Sequence, residues 1–125
     1  MTNKRLNDSV NETIDQLRII QPEVLRAINT DRNFSLVIKP RVLGLVDRLL
    51  VTNKEITLSP DYDRKYGEQI LSAILPMTHS LSVLNAMAIY GEDLSVRQSY
   101  ADFTWSIGNC IRELNKLTGE RAKGY

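Results

Sequence analysis

The feature that most constrains the fold of this chain is a regular apolar seam near its C-terminus. Its positions are separated by alternating steps of four and three residues, and they are Val96, Tyr100, Phe103, Ile107, Cys110, Leu114 and Leu117. Such spacing places side chains on one face of an α-helix, where they can pack against one or two other helices. Ser95 and Gln98 have the spacing of a capping box at its start. We therefore predict a long amphipathic helix over 94–118.

Earlier in the chain, helical apolar periodicity alternates with start and stop signals. Ser9 opens a predicted helix that Pro22 should end, because proline has no N–H for the helical hydrogen bond. Pro40 suits the first turn of a later helix. Ser59 is the predicted N-cap of the next one. An apolar stripe runs through Pro76, which predicts either one kinked helix or two helices that meet there.

These signals predict an all-α fold, a compact bundle of about five helices. The length of 125 residues fits a single helical domain over 1–125. The polar ends 1–8 and 119–125 are expected to be frayed. Gly91 is expected to end a helix in the left-handed conformation.

Residues 34–39 carry a competing signal. Phe34, Leu36 and Ile38 alternate with other side chains in a strand-like pattern, and Lys39 precedes a proline, which favours an extended backbone. Residues 55–58 form a second short segment of this kind. A two-stranded β pairing of 34–39 with 55–58 is therefore the alternative at this place.

Composition excludes several classes of protein. Hydrophobic residues make up 42% and charged residues 25%, values typical of globular domains. The formal net charge of +1 provides no strong field toward nucleic acid or an anionic membrane. A single cysteine excludes an intrachain disulfide, and the polar N-terminus lacks the apolar stretch of a signal peptide. We expect a soluble cytoplasmic protein.

The sequence offers little support for catalysis or metal binding. One histidine and one cysteine cannot form the usual zinc sites, so no metal and no cofactor is expected. Cys110 lies on the apolar seam, where a thiol normally packs and is inert. An enzyme that brings His79 beside Cys110 is the least favoured hypothesis. We expect a protein that is not an enzyme.

The opposite face of the last helix carries the leading functional hypothesis. Ala101, Trp105, Gly108 and Arg112 lie there, with small residues on both sides of the tryptophan. Either the helix is central and buries both faces, or this face binds a partner, as the enrichment of Trp in binding hot spots suggests. We predict a non-enzymatic protein-binding or regulatory protein, with another protein or a second copy of itself in a homo-oligomer as its partner.

The basic segment 39–54 supports an alternative function. Lys39, Arg41, Arg48 and Lys54 cluster there, and a few phosphate contacts would give weak, salt-sensitive binding. This alternative is a small nucleic-acid-associated accessory protein. An ordinary solvated helix face explains the same residues and is favoured.

Overall fold

Four long helices make up the regular structure of the described part of the chain. A computed structural model describes residues 2–28, 34–57, 59–60 and 63–124. The helices are α1 (Thr2–Ala27), α2 (Phe34–Ile56), α3 (Arg64–Tyr90) and α4 (Asp93–Gly124). The predicted all-α bundle is confirmed, and the predicted count of about five helices is wrong for these residues.

The helices form a ring in which each one packs against its two neighbours. α1 contacts α2 and α4, and α3 contacts the same two helices. Arg5 near the start of α1 pairs with Glu55 near the end of α2. Glu23 near the end of α1 pairs with Arg41 near the start of α2. With short connections throughout, neighbouring helices run antiparallel in an up-and-down bundle.

The core lies between the four inner faces. The predicted seam of α4 is confirmed through Leu114, and its side chains from Val96 onward are buried, while Leu117 is partly buried and packs against the core. The other helices contribute stripes of the same kind, for example Leu17 from α1, Val42 from α2 and Leu81 from α3. Each helix therefore buries one face and leaves the opposite face to solvent.

Two buried tyrosines join the helices that stand diagonally across the ring. At one end, the Tyr66 hydroxyl of α3 donates to Asn7 Oδ1 of α1 at 2.8 Å. At the other end, the backbone N–H of Ser35 in α2 donates to the Tyr100 hydroxyl of α4 at 3.0 Å. Both tyrosines are at most 1% exposed. Because each hydroxyl has a partner, the large rings fill the core without leaving an unsatisfied polar group.

Three prolines lie inside helices, not at their boundaries. Pro22 is within α1, Pro40 within α2 and Pro76 within α3. All three are exposed, so they lie on the outer side, where a carbonyl that lost its donor can be hydrated. The inner apolar stripes continue past them. The predicted boundaries at Pro22 and Pro40 are therefore wrong, and at Pro76 the single helix is observed.

The alternative β pairing of 34–39 with 55–58 is also wrong. α2 contains all of 34–39 and the first two residues of 55–58. Thr57 forms a turn after the helix, and Leu58 lies outside the described residues. Ile38 is fully buried and Leu36 is exposed, whereas the strand pattern would place both on one face. Helical burial on the inner stripe of α2 explains this arrangement.

The polar ends belong to the first and last helices. α1 begins at Thr2, so the segment 1–8 is helical from its second residue, and Leu6 is fully buried. At the other end, α4 continues through Gly124, which covers most of the segment 119–125. The buried Leu6 side chain packs the first turns of α1 into the core. In the sequence, a single apolar residue among polar ones is too little to indicate a helical face.

α3 begins at a residue other than the one predicted, and it ends at the predicted glycine in a different conformation. Asp63, and not Ser59, is the N-cap, and its side chain accepts a hydrogen bond from the Tyr66 N–H at 3.1 Å. Gly91 ends the helix with φ −85°, which is not left-handed. A Cβ atom at this position would lie 2.7 Å from the Met87 carbonyl oxygen. Close backbone approach therefore explains the glycine.

Candidate functional site

Trp105, at the centre of the predicted interface, lies on the outer face of α4. It is 66% exposed. Ala101, one turn earlier, and Arg112, two turns later, are exposed as well. In a ring of four helices the seam occupies the inner side of α4, and no further helix of the described chain covers the opposite side. Burial of Trp105 in the core of its own chain is therefore excluded.

Gly108, the third small or aromatic residue of the predicted interface, lies toward α1. It is half-buried, and a Cβ atom there would lie 2.8 Å from Nε2 of Gln21 on α1. The Gln21 amide donates to the Thr104 carbonyl oxygen at 3.0 Å. The end of the flexible Gln21 side chain therefore occupies the space beside Gly108, so the group that approaches this small residue comes from another helix of the same chain.

Leu94 extends the exposed apolar surface toward one end of the bundle. It is 79% exposed and stands eleven residues before Trp105, which is about three helical turns and hence the same side of α4. We call this side the α4 outer face and define it by Leu94, Ala101, Trp105 and Arg112. The prediction named the last three of these residues and missed the first.

The sequence reasoning also missed a second surface, on α3. The sequence contains no Asp, Glu, Lys or Arg between Glu68 and Glu92. Nevertheless, α3 exposes many side chains in this stretch, and we call them the α3 outer face: Leu71, Ser72, Leu75, Pro76, His79, Ser82, Val83, Ala86, Ile89 and Tyr90. The uncharged stretch is visible in the sequence, but the inner apolar stripe in the same residues gives the stronger helical pattern.

The α3 and α4 outer faces lie on adjacent helices of the ring. The Ser80 and Ser106 hydroxyl oxygens are 2.8 Å apart, which joins α3 and α4 midway along their lengths. Trp105 directly precedes Ser106 and therefore lies level with the middle of α3. The two faces therefore lie on neighbouring helices at about the same level of the bundle.

α3 is long and apolar enough to cross a membrane, judged by length and composition alone. Only 28% of its most apolar 18-residue window is buried in the bundle. Core helices of water-soluble bundles also pass this test, but in them most of the window is buried. The apolar character of α3 therefore includes many side chains on its outer side, away from the core.

The predicted nucleic-acid residues do not form one surface. All four lie on α2, where each residue turns the helix by about 100°. Arg41 and Arg48 were predicted to share a face of this helix, and that face lies toward α1. Lys39 is about 200° around the helix from Arg41, and Lys54 is about 120° from Arg48. The positive charges are thus divided between two sides of α2.

Carboxylates also stand among the arginines of this segment. Arg41 pairs with Glu23 of α1. Arg48 borders a shallow depression between α1 and α2 that Glu12, Asp47 and Glu55 also line. A phosphate backbone approaching this side would meet these negative charges, which weaken the counterion-release contribution to binding.

Cys110 and His79 occupy different environments. Cys110 is buried on the inner seam, and desolvation by burial raises the pKa of its thiol to about 12. The thiol is therefore neutral near pH 7 and a poor nucleophile. His79 is exposed on the α3 outer face. The structure does not give Cys110 the exposed, base-activated setting of a catalytic cysteine.

No group of three or more His, Cys, Asp or Glu side chains among the described residues is placed to hold a metal ion.

In comparisons with known proteins, the chain matches no family model, no curated protein and no solved structure. The class that the architecture defines is the antiparallel four-helix bundle, and the function has to be argued from its surfaces.

Proposed function

We propose that the protein is a non-enzymatic, protein-binding regulatory bundle that contacts another protein through the α4 outer face. The observation that carries this proposal is Trp105, which is 66% exposed on a helix whose other face is firmly packed. Tryptophan combines a large apolar surface with few rotatable bonds, and it is enriched among the residues that dominate binding energy.

The neighbours of Trp105 have the composition of an interface. Ala101 is small and lets a partner approach the indole ring closely. Leu94 adds apolar area, and Arg112 supplies a charged group at the margin. Protein interfaces commonly combine an aromatic or aliphatic centre with a polar rim, in which arginine is enriched. A protein partner therefore suits this surface better than a small molecule, which would need a concave site.

The test is capture of partners from the host lysate with wild-type protein and a Trp105→Ala variant. Removal of a binding hot spot should weaken capture of the partner about tenfold or more. Ile19→Ala is the matched control, because Ile19 is an exposed apolar residue on α1 and is 55% exposed. It should leave capture unchanged.

Thermal unfolding separates binding from folding in this experiment. Both substitutions remove exposed side chains, so the melting temperatures should stay within a few degrees of wild type. Undiminished capture by Trp105→Ala would refute the proposal. A large fall in the melting temperature would show that Trp105 acts in folding, which refutes it as well.

A further inference from the structure

The α3 outer face has a charge distribution that fits a second copy of itself. In a two-fold symmetric interface each patch meets the same patch of the other copy, so a charged residue near the axis meets its own like charge. Over the 23 residues from Gln69 to Gly91 this difficulty does not arise, since none is Asp, Glu, Lys or Arg. A different protein as partner would not require the face to be free of charge, because it could present opposite charges.

The two ends of α3 differ in charge. Arg64 and Lys65 open the helix, with Glu68 one turn later, whereas only a carboxylate, Glu92, directly follows the uncharged stretch. All four charged residues are exposed. Lys65 lies 18 residues, or five turns, before Val83 and therefore on the same side as the outer face. When two α3 helices pack antiparallel, the basic start of each lies beside the acidic end of the other.

The uncharged stretch also offers a long line of apolar contact. It is about 35 Å long, because each helical residue rises ~1.5 Å. Leu71, Leu75, Val83 and Ile89 supply its apolar side chains.

From the uncharged stretch, the charges at its two ends and the apolar side chains between them, we infer that the protein forms a homodimer in which α3 packs antiparallel on α3 of a second copy. The dimer buries the α3 outer face and places Arg64 and Lys65 of each copy beside Glu92 of the other. The inference does not rest on the proposed function, since Trp105 belongs to the neighbouring α4 outer face.

The first experiment measures mass by light scattering and sedimentation equilibrium at micromolar concentrations. Wild-type protein should have twice the chain mass of 14.2 kDa. Leu75 is 62% exposed, so Leu75→Glu should fold normally. The variant brings a carboxylate into both halves of the interface and should raise the dimer dissociation constant at least ~100-fold. The matched control, Ile19→Glu on α1, should remain dimeric.

The second experiment tests the antiparallel orientation. Lys65→Glu should weaken the dimer by roughly 3- to 10-fold at low salt, because two ion pairs become repulsive. Adding Glu92→Lys to the same chain should restore the wild-type dissociation constant. A parallel arrangement brings Lys65 beside Lys65, so the same double variant would not rescue it. Failure of the rescue therefore overturns the antiparallel dimer.

Two further measurements decide between other occupants of this face. Trp105→Ala should weaken capture of another protein about tenfold or more and leave the mass at twice the chain mass, which separates this inference from the proposed function. Flotation with vesicles of phosphatidylcholine and phosphatidylglycerol should show no binding by wild-type protein. A monomeric wild-type protein, or one that floats with vesicles through Leu75, would refute the dimer.

Discussion

α1 and α3 stand diagonally opposite each other in the bundle and have nearly the same length, yet their outer faces differ completely. α1 carries charge along its whole length, at Lys4, Arg5, Asp8, Glu12, Asp15, Arg18, Glu23 and Arg26. α3 carries charge only in its first turns, at Arg64, Lys65 and Glu68. Their inner faces are alike, since both insert an unbroken apolar stripe into the core.

The difference teaches that folding and surface chemistry are separate demands on a bundle helix. The inner stripe suffices to place a helix in the ring, because apolar burial there drives packing. The outer face is free to vary without loss of the fold. A charged outer face such as that of α1 suits water, whereas the extended apolar face of α3 is the surface on which the proposed dimer depends.

The largest expected effects test whether the two inner faces are equivalent. Leu17→Ala in α1 and Leu81→Ala in α3 should each lower the free energy of unfolding by about 2–5 kcal/mol, because both side chains are buried and leave a cavity. Ile19→Ala, on the exposed side of α1, should cost less than about 1 kcal/mol. Urea titration followed by circular dichroism measures all three. Clearly different losses of unfolding free energy for the two leucine variants would show that the inner faces of α1 and α3 are not equivalent.

A smaller effect is expected where α3 is bonded across the core to α1. Tyr66→Phe removes the donor to Asn7, which is half-buried and can turn to water, so the loss should be about 0.5–1.5 kcal/mol. Tyr100→Phe leaves the buried Ser35 N–H without this acceptor and should cost about 1–3 kcal/mol. The same denaturant titration measures both. A larger loss of stability for Tyr66→Phe than for Tyr100→Phe would contradict this difference between the two tyrosine hydrogen bonds.

The smallest effect concerns the charges of the α1 side. Glu23→Gln removes the ion pair with Arg41, and since both side chains are partly exposed the loss should not exceed about 1 kcal/mol. In about 1 M salt, where charges are screened within ~3 Å, wild type and variant should be equally stable. A difference that persists in high salt would show that packing, and not charge, links Glu23 to α2.

Much of the fold was predictable, because apolar spacing reports burial directly. The seam of α4 and the stripe through Pro76 follow the helical period, and both lie inside. The boundaries at Pro22 and Pro40 failed for one physical reason. The loss of one hydrogen bond costs less than the burial of a continuous stripe when proline faces solvent. Local helix-breaking signals do not show which way a residue faces.

The candidate site was only partly predictable. The heptad spacing placed Trp105 opposite the seam, but its exposure depended on the number of helices. A fifth helix could have covered it, and a ring of four leaves it open. The capping box predicted at Ser95 was also misleading, because α4 begins earlier and Gln98 bonds Asp102 instead. The uncharged stretch of α3, in contrast, can be read directly from the sequence.

The contact of Gln21 with α4 has a consequence for the backbone beneath Trp105. The Gln21 side chain lies where α4 has no side chain, and moving α4 by one turn would bring Thr104 or Arg112 into that place. The hydrogen bond from Gln21 to the Thr104 carbonyl oxygen therefore favours the observed axial position of α4 relative to α1. Trp105 directly follows Thr104, so the same bond helps to hold the backbone that carries the tryptophan. In the proposed binding, a backbone that is already held loses less conformational entropy than a sliding or fraying helix would.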